Sequence, residues 1–493
     1  MTKPIRVRFA PSPTGYPHVG NIRSALFNWL FARHSNGSFI VRIEDTDVTR
    51  KVEGSLEAIL GGLKWLGMDW DEGPEIGGNY GPYFQSQRLE LYQGAAQCLI
   101  SQGSAYRCYC SSQRLEQMRL EQVERKQSLG YDRRCRNLTP GEGVAEERKL
   151  ENEGRRAVIR FATPREGQTA FTDLIRGKVT FDNSTLDDFV LLKSDGYPTY
   201  HLANIVDDHA MEISHVMRAE EWLPSVPRHM LLYEAMGFEP PNFAHLPMIL
   251  GPDRTKLSKR HGAVSIIGYK GQGYLPEAMV NFLALLGWSL DDKAEILSRK
   301  ELIDNFSLER VSQAAAIFNH EKLNWMNGVF IRKLSLEDLS QKIIPFFESV
   351  LPREVKRPIS RQYVDQIVPL IQERINTLEE AAIYADFFFI DMPEYETSML
   401  IGKKMTRETA LEALKVVEKE LSSLESFNHD LLENKLRHLA GDLGLKTGQL
   451  FGLLRVATTG RNATPPLFKT MEALSAERCL RRIRVAVVKL GSN

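Results

Sequence analysis

The chain lacks any apolar run approaching the ~20 residues of a membrane helix. Its first residues, MTKPIRVRF, hold no apolar signal-peptide core. Cysteine is scarce: five in 493 residues, an odd number that does not build a secreted disulfide framework. Net charge is lacking too, since Lys+Arg and Asp+Glu each count 63. Any basic surface for a nucleic acid must therefore be local and balanced elsewhere. No Gly-x-Gly-x-x-Gly follows the first apolar run and no P-loop occurs anywhere, which disfavours nicotinamide-type dehydrogenases. What these absences leave is a globular, cytoplasmic chain without membrane association, long enough for about three domains.

The opening stretch, Val7–Asn28, carries the first positive signal. Ile5, Val7 and Phe9 alternate as in a buried strand, and Pro11-Ser12-Pro13-Thr14-Gly15 breaks the chain. Beyond Pro17-His18-Val19-Gly20, Ile22, Ala25, Leu26, Trp29 and Leu30 share one helix face. This strand, turn and helix predict free N–H groups and a positive dipole end beside Gly20 and His18, a phosphate cradle or a plain connection. A second strand, Phe39–Ile43, delivers Glu44, Asp45 and Asp47, either to a ligand at the carboxyl end of a parallel sheet or to the cap of the next helix. The α/β pattern resumes at Tyr197–Asp208, with further strands at Ile213–Met217 and His245–Leu250. Between lies a stretch of different composition, about 111 to 195, that reads as an insertion. Beyond Pro276 the pattern is almost wholly helical, with capping-box spacing at Ser298–Glu301 and Thr377–Glu380.

Two more clusters carry chemistry. Lys256-Leu257-Ser258-Lys259-Arg260 puts two lysines three apart. Such mobile cations stabilise charge on a leaving pyrophosphate, although a solvated basic loop has the same spacing. Cys108-x-Cys110, with Tyr131 and Cys135 some way on, offers three thiolates for zinc and an unsettled fourth ligand, Tyr131 phenolate or the poorer Asn137. A cluster of reduced cysteines is the alternative.

Taken together, PHVG at the first turn and KLSK after a late strand resemble the two signature motifs of class I aminoacyl-tRNA synthetases. RFAPSPTGYPHVGN, RIEDTD, YPTYHLANIVDD, RAEEW, KLSKRHG and TGRNATPPLF extend the resemblance, over essentially the whole chain, to bacterial or organellar glutamyl-tRNA synthetases. Asn21 stands where the general motif ends in a second histidine, so His18 carries that role alone. The resemblance implies an α/β fold: a split Rossmann-like nucleotide-binding domain (1–110 and 196–262) and an inserted α+β acceptor-stem domain (111–195). A helical junction (263–330) and an all-helical anticodon-binding domain (331–493) follow. It implies ATP with Mg²⁺ at His18, Gly20, Lys256, Ser258 and Lys259, with His18, Lys256 and Lys259 catalytic. L-Glutamate would sit among Arg8, Ser12, Glu44, Tyr200, Asn204, Arg218 and Trp222. For Tyr200 and Trp222, core packing is the competing role. Arg8 and Arg218 are the candidates for the carboxylates and Glu44 for the ammonium. Zinc at Cys108, Cys110, Tyr131 and Cys135 is carried by some members. The partner is tRNAGlu, with tRNAGln left open, and the chain is expected to be monomeric. Arg374, Arg478, Arg481, Arg482, Arg484 and Lys489 are expected to supply charge for phosphate contacts.

Overall fold

The computed structural model describes residues 4–258, 260 and 265–492. Lys259, expected to bind ATP, lies outside them. Two compact units form, Met1–Tyr269 with Met279–Asn319, and Lys270–Ala278 with His320–Asn493. Among the described residues no helix is long and apolar enough to cross a membrane.

The first unit begins as predicted: strand β1 (Arg6–Phe9), helix α1 (Val19–His34) and strand β2 (Ser38–Val41). Helices α2 (Ser55–Trp65) and α3 (Leu89–Ser101) follow. Strand β3 (Ala105–Cys108) leads into helices α4 (Ser112–Glu124) and α5 (Pro140–Asn152). Four strands come next, β4 (Val158–Phe161), β5 (Gln168–Asp173), β6 (Gly177–Asp182) and β7 (Val190–Leu192). Helix α6 (Tyr200–Ala210), strand β8 (His215–Ala219), helix α7 (Val226–Met236) and strand β9 (Asn242–Leu246) complete the sheet.

The six strands run in the order β2-β1-β8-β9-β5-β6. The first five are mutually parallel, and β6 closes the edge as an antiparallel hairpin with β5. Val7, Phe39, Ile40, Val41, Val216 and Ala244 are buried, as expected of parallel strands covered on both faces. The segment 111–195 does not stand apart. Its β5–β6 hairpin extends the main sheet, while β4 and β7 pair with β3 in a second, antiparallel sheet. This register joins Asp173 to Phe243, a pairing too distant along the chain for local patterning to reveal. The strand read as His245–Leu250 divides at Pro247, with Ile249–Leu250 pairing separately with Ala316–Ile317.

Charge is buried inside this sheet. Asp207 and Asp208, both on α6, are inaccessible. Asp208 receives Arg42 Nη1 at 2.7 Å and Arg8 Nε at 3.1 Å. Asp207 receives Arg88 Nε at 2.7 Å, Gln85 Nε2 at 2.8 Å and the Tyr92 hydroxyl at 2.9 Å. Three strands and helices are thus tied to α6 by hydrogen-bonded ion pairs, the arrangement in which buried charge is tolerated.

The second unit is helical around a core including Ile343, Phe347, Ile367, Leu414, Leu453 and Ile483. Ser298 in the first unit and Thr377 in the second both cap their helices. Glu380 returns its carboxylate to the Asn376 N–H at 2.7 Å, one residue before the expected box. The tail cations are occupied inside the chain. Arg482 is buried and donates to Phe387 O at 2.8 Å, Ile390 O at 2.6 Å, Asp391 O at 3.1 Å and Thr458 O. Arg478 reaches Tyr363 and Phe388, Arg481 pairs with Asp391, Arg484 with Glu418, and Lys489 reaches Tyr395 O. Carbonyls at helix ends carry partial negative charge and need donors, so this row of cations ties helices together. Arg374 alone of the predicted set is exposed with no ion pair.

Asp207→Ala leaves Arg88 and Arg42 buried without this partner and is expected to lower the unfolding free energy by about 3–5 kcal/mol. Urea unfolding followed by tryptophan fluorescence reads it. Trp29, Trp65, Trp70, Trp222 and Trp288 all lie in this unit, against Trp325 in the other. A loss under about 1 kcal/mol, the level of an exposed pair, contradicts the role.

Candidate active site

The turn between β1 and α1 places His18 at the N-cap of α1, where Nδ1 accepts the Gly20 N–H at 3.1 Å. The ring proton of the neutral imidazole therefore sits on Nε2. Burial and the nearby Lys256 ammonium push the His18 pKa down, against a smaller opposing effect of Glu221. The Gly20 N–H is thereby engaged within the turn and is not one of the free N–H groups at this helix start. Phosphate-binding capacity passes to His18 Nε2–H and the helix dipole. A Cβ on residue 20 would lie 3.4 Å from His18 Nδ1, so glycine leaves this cap uncrowded.

His18 and Gly20 open onto a cavity of about 850 Å³ that Met248, Ile249, Lys256 and Ser258 also line. This is within the size range of a nucleotide-sized ligand site. Lys256 is brought there by a tight hairpin: Leu250 bridges Lys256, and the Gly251 N–H donates to Thr255 O at 2.8 Å. Its ammonium, largely exposed, meets Glu221 at 2.5 Å. Sequence reading missed Glu221, whose signal was the doubled acid in RAEEW.

A second group gathers at the carboxyl ends of β1, β2 and β8. Arg8 gives Nε and Nη2 to Asp208 and Asn204. The two-pronged fork expected for a ligand carboxylate is therefore already engaged, and Nη1 remains. Asn204 Oδ1 accepts from Arg8 and Arg42, while its buried Nδ2 has no partner, an orphan donor that an acceptor would satisfy. Glu44 lies 3.5 Å from Arg42. Burial raises its carboxyl to about 7, although Arg42 and Arg8 oppose the rise. Ser12 is exposed on the turn above a small cavity of about 180 Å³.

Arg218 differs from the other guanidiniums. It is only 6% exposed, yet among the described residues no carboxylate pairs with it. Nη1 donates to Tyr200 Oη at 2.7 Å and Nε to His245 Nε2 at 3.1 Å, with His229 Nδ1 and Trp222 O at 3.4 and 3.5 Å from Nη2. Burial, with help from neighbouring arginines, pushes His229 well down and His201 to about 4, so both rings are neutral. Tyr200 lies against Trp222, ring centres 4.4 Å apart. A buried cation surrounded by neutral acceptors keeps a charge that no protein group cancels.

The cysteine cluster forms as expected. The three sulfurs of Cys108, Cys110 and Cys135 lie within 4.8 Å of one another, with Cys110 and Cys135 at 3.6 Å. Tyr131 Oη is 3.3 Å from Cys108 and 3.5 Å from Cys110. Tetrahedral zinc with Zn–S bonds of about 2.3 Å spaces its sulfurs about 3.8 Å apart, so these four donors fit the ion. Hydrogen bonds from Cys110, Cys135 and Tyr131 lower the Cys108 pKa despite burial, and the same cluster pushes Cys110 and Tyr131 up, so the three share a single thiolate on Cys108.

Comparison with known proteins follows this geometry. The family described as tRNA synthetases class I (E and Q), catalytic domain, matches residues 4–325, and an anticodon binding domain matches 338–487. The glutamate–tRNA ligase of Dehalococcoides mccartyi strain CBDB1 is 58% identical over 100% of this chain and 99% of its own length. That of Moorella thermoacetica is 49% identical over 97% of each. A crystal structure of a glutamate tRNA ligase from Elizabethkingia meningosepticum, in complex with its amino acid, superposes with a TM-score of 0.88 at 38% identity, covering 99% of this chain and 100% of that one. With matches over its full length and over both units, the chain belongs to the glutamyl-tRNA synthetase family of class I aminoacyl-tRNA synthetases.

Proposed function

We propose that the protein joins L-glutamate to tRNAGlu with ATP, and that buried Arg218 reads the substrate's side-chain carboxylate. The unpaired guanidinium carries this reading. Glutamine would present a neutral amide and leave the charge buried and unmatched, a mismatch that disfavours binding.

The α-carboxylate oxygen of glutamate attacks the α-phosphorus of ATP. The bond to the β-phosphate oxygen breaks, and glutamyl-adenylate and pyrophosphate form. A hydroxyl of the tRNA's terminal adenosine then attacks the carbonyl, and AMP leaves. His18 Nε2–H and the α1 dipole hold phosphate oxygens. Lys256 exchanges Glu221 for the polyphosphate, and Gly20, Ser258 and Lys259 belong to the same site. Glu44 receives the substrate ammonium, Asn204 Nδ2 and Arg8 Nη1 the α-carboxylate, and Ser12, Tyr200 and Trp222 bound the pocket. Positioning and charge stabilisation suffice for this chemistry, and no protein nucleophile is needed. Mg²⁺ entering with ATP would neutralise charge on the leaving pyrophosphate. Cys108, Cys110, Tyr131 and Cys135 would hold a zinc ion, which would tie β3 to the turn before α5. Segment 111–195 is assigned to the acceptor stem, 263–330 to the helical junction and 331–493 to the anticodon. The free thiols favour a cytoplasmic location.

Aminoacylation of separate tRNAGlu and tRNAGln transcripts tests the reading: glutamate is charged on tRNAGlu and glutamine on neither, while the tRNAGln lane decides the second acceptor. Arg218→Ala should reduce glutamate charging at least about a hundredfold, from the loss of a buried charge pair of ~3–5 kcal/mol. Near-wild-type charging overturns the role. Below about 7 Glu44 is protonated and cannot pair with an ammonium. Thus kcat/KM for glutamate should rise as pH passes through about 7, with the limb in kcat shifted lower once substrate is bound. Glu44→Gln should flatten that limb; an unchanged limb removes Glu44 from the site. Metal analysis of the purified protein should return about one zinc per chain, lost in Cys110→Ser; a zinc-free native protein ends that assignment.

A further inference from the structure

Each donor of Arg218 must face a lone pair, because a guanidinium does not give up its proton in a protein. His245 Nε2, which accepts from Arg218 Nε at 3.1 Å, offers one only while the imidazole proton sits on Nδ1. That proton has a fixed destination: Nδ1 lies 2.6 Å from Asp173 Oδ2. Asp173 is itself held by the backbone N–H groups of Ile175 at 3.0 Å, Arg176 at 2.9 Å and His245 at 3.1 Å. His245 is inaccessible and Asp173 nearly so, so water does not compete for any of these bonds. Burial alone would raise the Asp173 pKa, but the hydrogen bonds from His245 and from the Arg176 and Ile175 backbone leave it lowered, keeping the carboxylate an acceptor.

We infer that Asp173 positions Arg218 through His245, so that the turn of the β5–β6 hairpin governs the choice of amino acid without touching it. The inference rests on the reading of Arg218 given above. An interposed neutral imidazole explains the arrangement physically. A carboxylate set directly on Arg218 would satisfy its charge and compete with the substrate. One ring further back, it fixes the guanidinium's direction and leaves its charge for the ligand. The same turn has a second arm. Arg176 pairs with Glu220 at 2.5 Å, and Glu220 accepts the Met248 N–H at 2.8 Å, on the wall of the nucleotide cavity. The two arms leave the turn by different residues, which separates their readouts.

Asp173→Asn keeps the volume and an oxygen for the backbone N–H groups but turns an N–H towards His245 Nδ1. The imidazole proton then moves to Nε2 and opposes Arg218 Nε–H. Initial-rate aminoacylation of tRNAGlu by the full-length enzyme should show the KM for glutamate raised at least about tenfold and the KM for ATP within about twofold. The preference for glutamate over glutamine should fall at least about tenfold. His245→Phe, which removes the acceptor while filling the space, should act alike and provides the test if the asparagine variant does not fold. In an Arg218→Lys background, Asp173→Asn should add less than about twofold. Unchanged glutamate KM and preference, parallel increases in both KM values, or full additivity with Arg218→Lys would each overturn the relay. If Arg218→Lys by itself leaves glutamate KM and preference unchanged, the reading of Arg218 is what fails. If it raises them while Asp173→Asn and His245→Phe do not, only the relay fails.

Discussion

The pairing of Arg8 and Arg42 with Asp208 is the constraint on which the rest of the catalytic unit depends. Arg8 on β1 and Arg42 just past the end of the adjacent β2 cannot be buried between helices unless a carboxylate meets them, and α6 supplies it at 3.1 and 2.7 Å. Once that bond set is fixed, so is the phase of α6. Asp207, the residue before Asp208, meets Arg88 at the N-cap of α3 and Tyr92 within α3. Asn204, one turn earlier, meets Arg8 and Arg42, and Tyr200, a further turn back, reaches Arg218. One helix with residues at a spacing of about four therefore ties core charge to ligand-facing groups. The network is at once an element of stability and the frame of the pocket proposed for the amino acid.

Buried guanidiniums in this chain are satisfied in three distinct ways, and the difference separates structure from function. Arg42 and Arg8 have carboxylates. Arg23 and Arg482 have backbone carbonyls, Leu286 O and Pro247 O for the first and helix-end carbonyls for the second. Burial lowers both of these to about 10, still far above neutrality, so both remain cationic ties. Arg218 alone is wrapped in hydroxyl, imidazole and a carbonyl. Dipoles orient a cation without cancelling its charge, whereas a carboxylate cancels it; Arg23 and Arg482 are locked by main-chain carbonyls, whereas Arg218 is held mainly by neutral side chains. Exposure values would not distinguish these residues; the chemistry of their partners does.

The α/β core was legible in the sequence, as were the His18 and Lys256 that meet at one cavity, because alternation in β1, the helical face of α1 and the PHVG and KLSK turns are local signals. Cys108, Cys110, Tyr131 and Cys135 were also legible together, and they converge. Partners were not. Asp208 lies 200 residues from Arg8 and Asp173 72 from His245, and no periodicity reports such pairings. The sheet position of the β5–β6 hairpin was hidden for the same reason, since Asp173 meets Phe243 only through tertiary register. The partners of the run Arg478–Lys489 were equally hidden. Arg478, Arg482 and Lys489 reach backbone carbonyls, which no sequence pattern displays, while Arg481 and Arg484 stay exposed and pair with Asp391 and Glu418.

The turn after β1 has a different character from the one its glycine suggested. Free amides at a helix start can bind any anion and impose little direction. With the Gly20 N–H engaged by His18 Nδ1, the donor is instead a single ring N–H of defined orientation, kept neutral by burial and by Lys256. A neutral imidazole donates to phosphate without adding a second fixed positive charge beside the lysine. Among the described residues, the cations lining this cavity are Arg23, buried and tied to backbone carbonyls, and the exposed Lys256 of the hairpin, which Glu221 holds at the rim. Direction therefore comes from the ring N–H, and the exposed charge comes from the hairpin. Such a division suits a reaction in which charge builds on the departing pyrophosphate while the α-phosphorus must stay in line with its attacker.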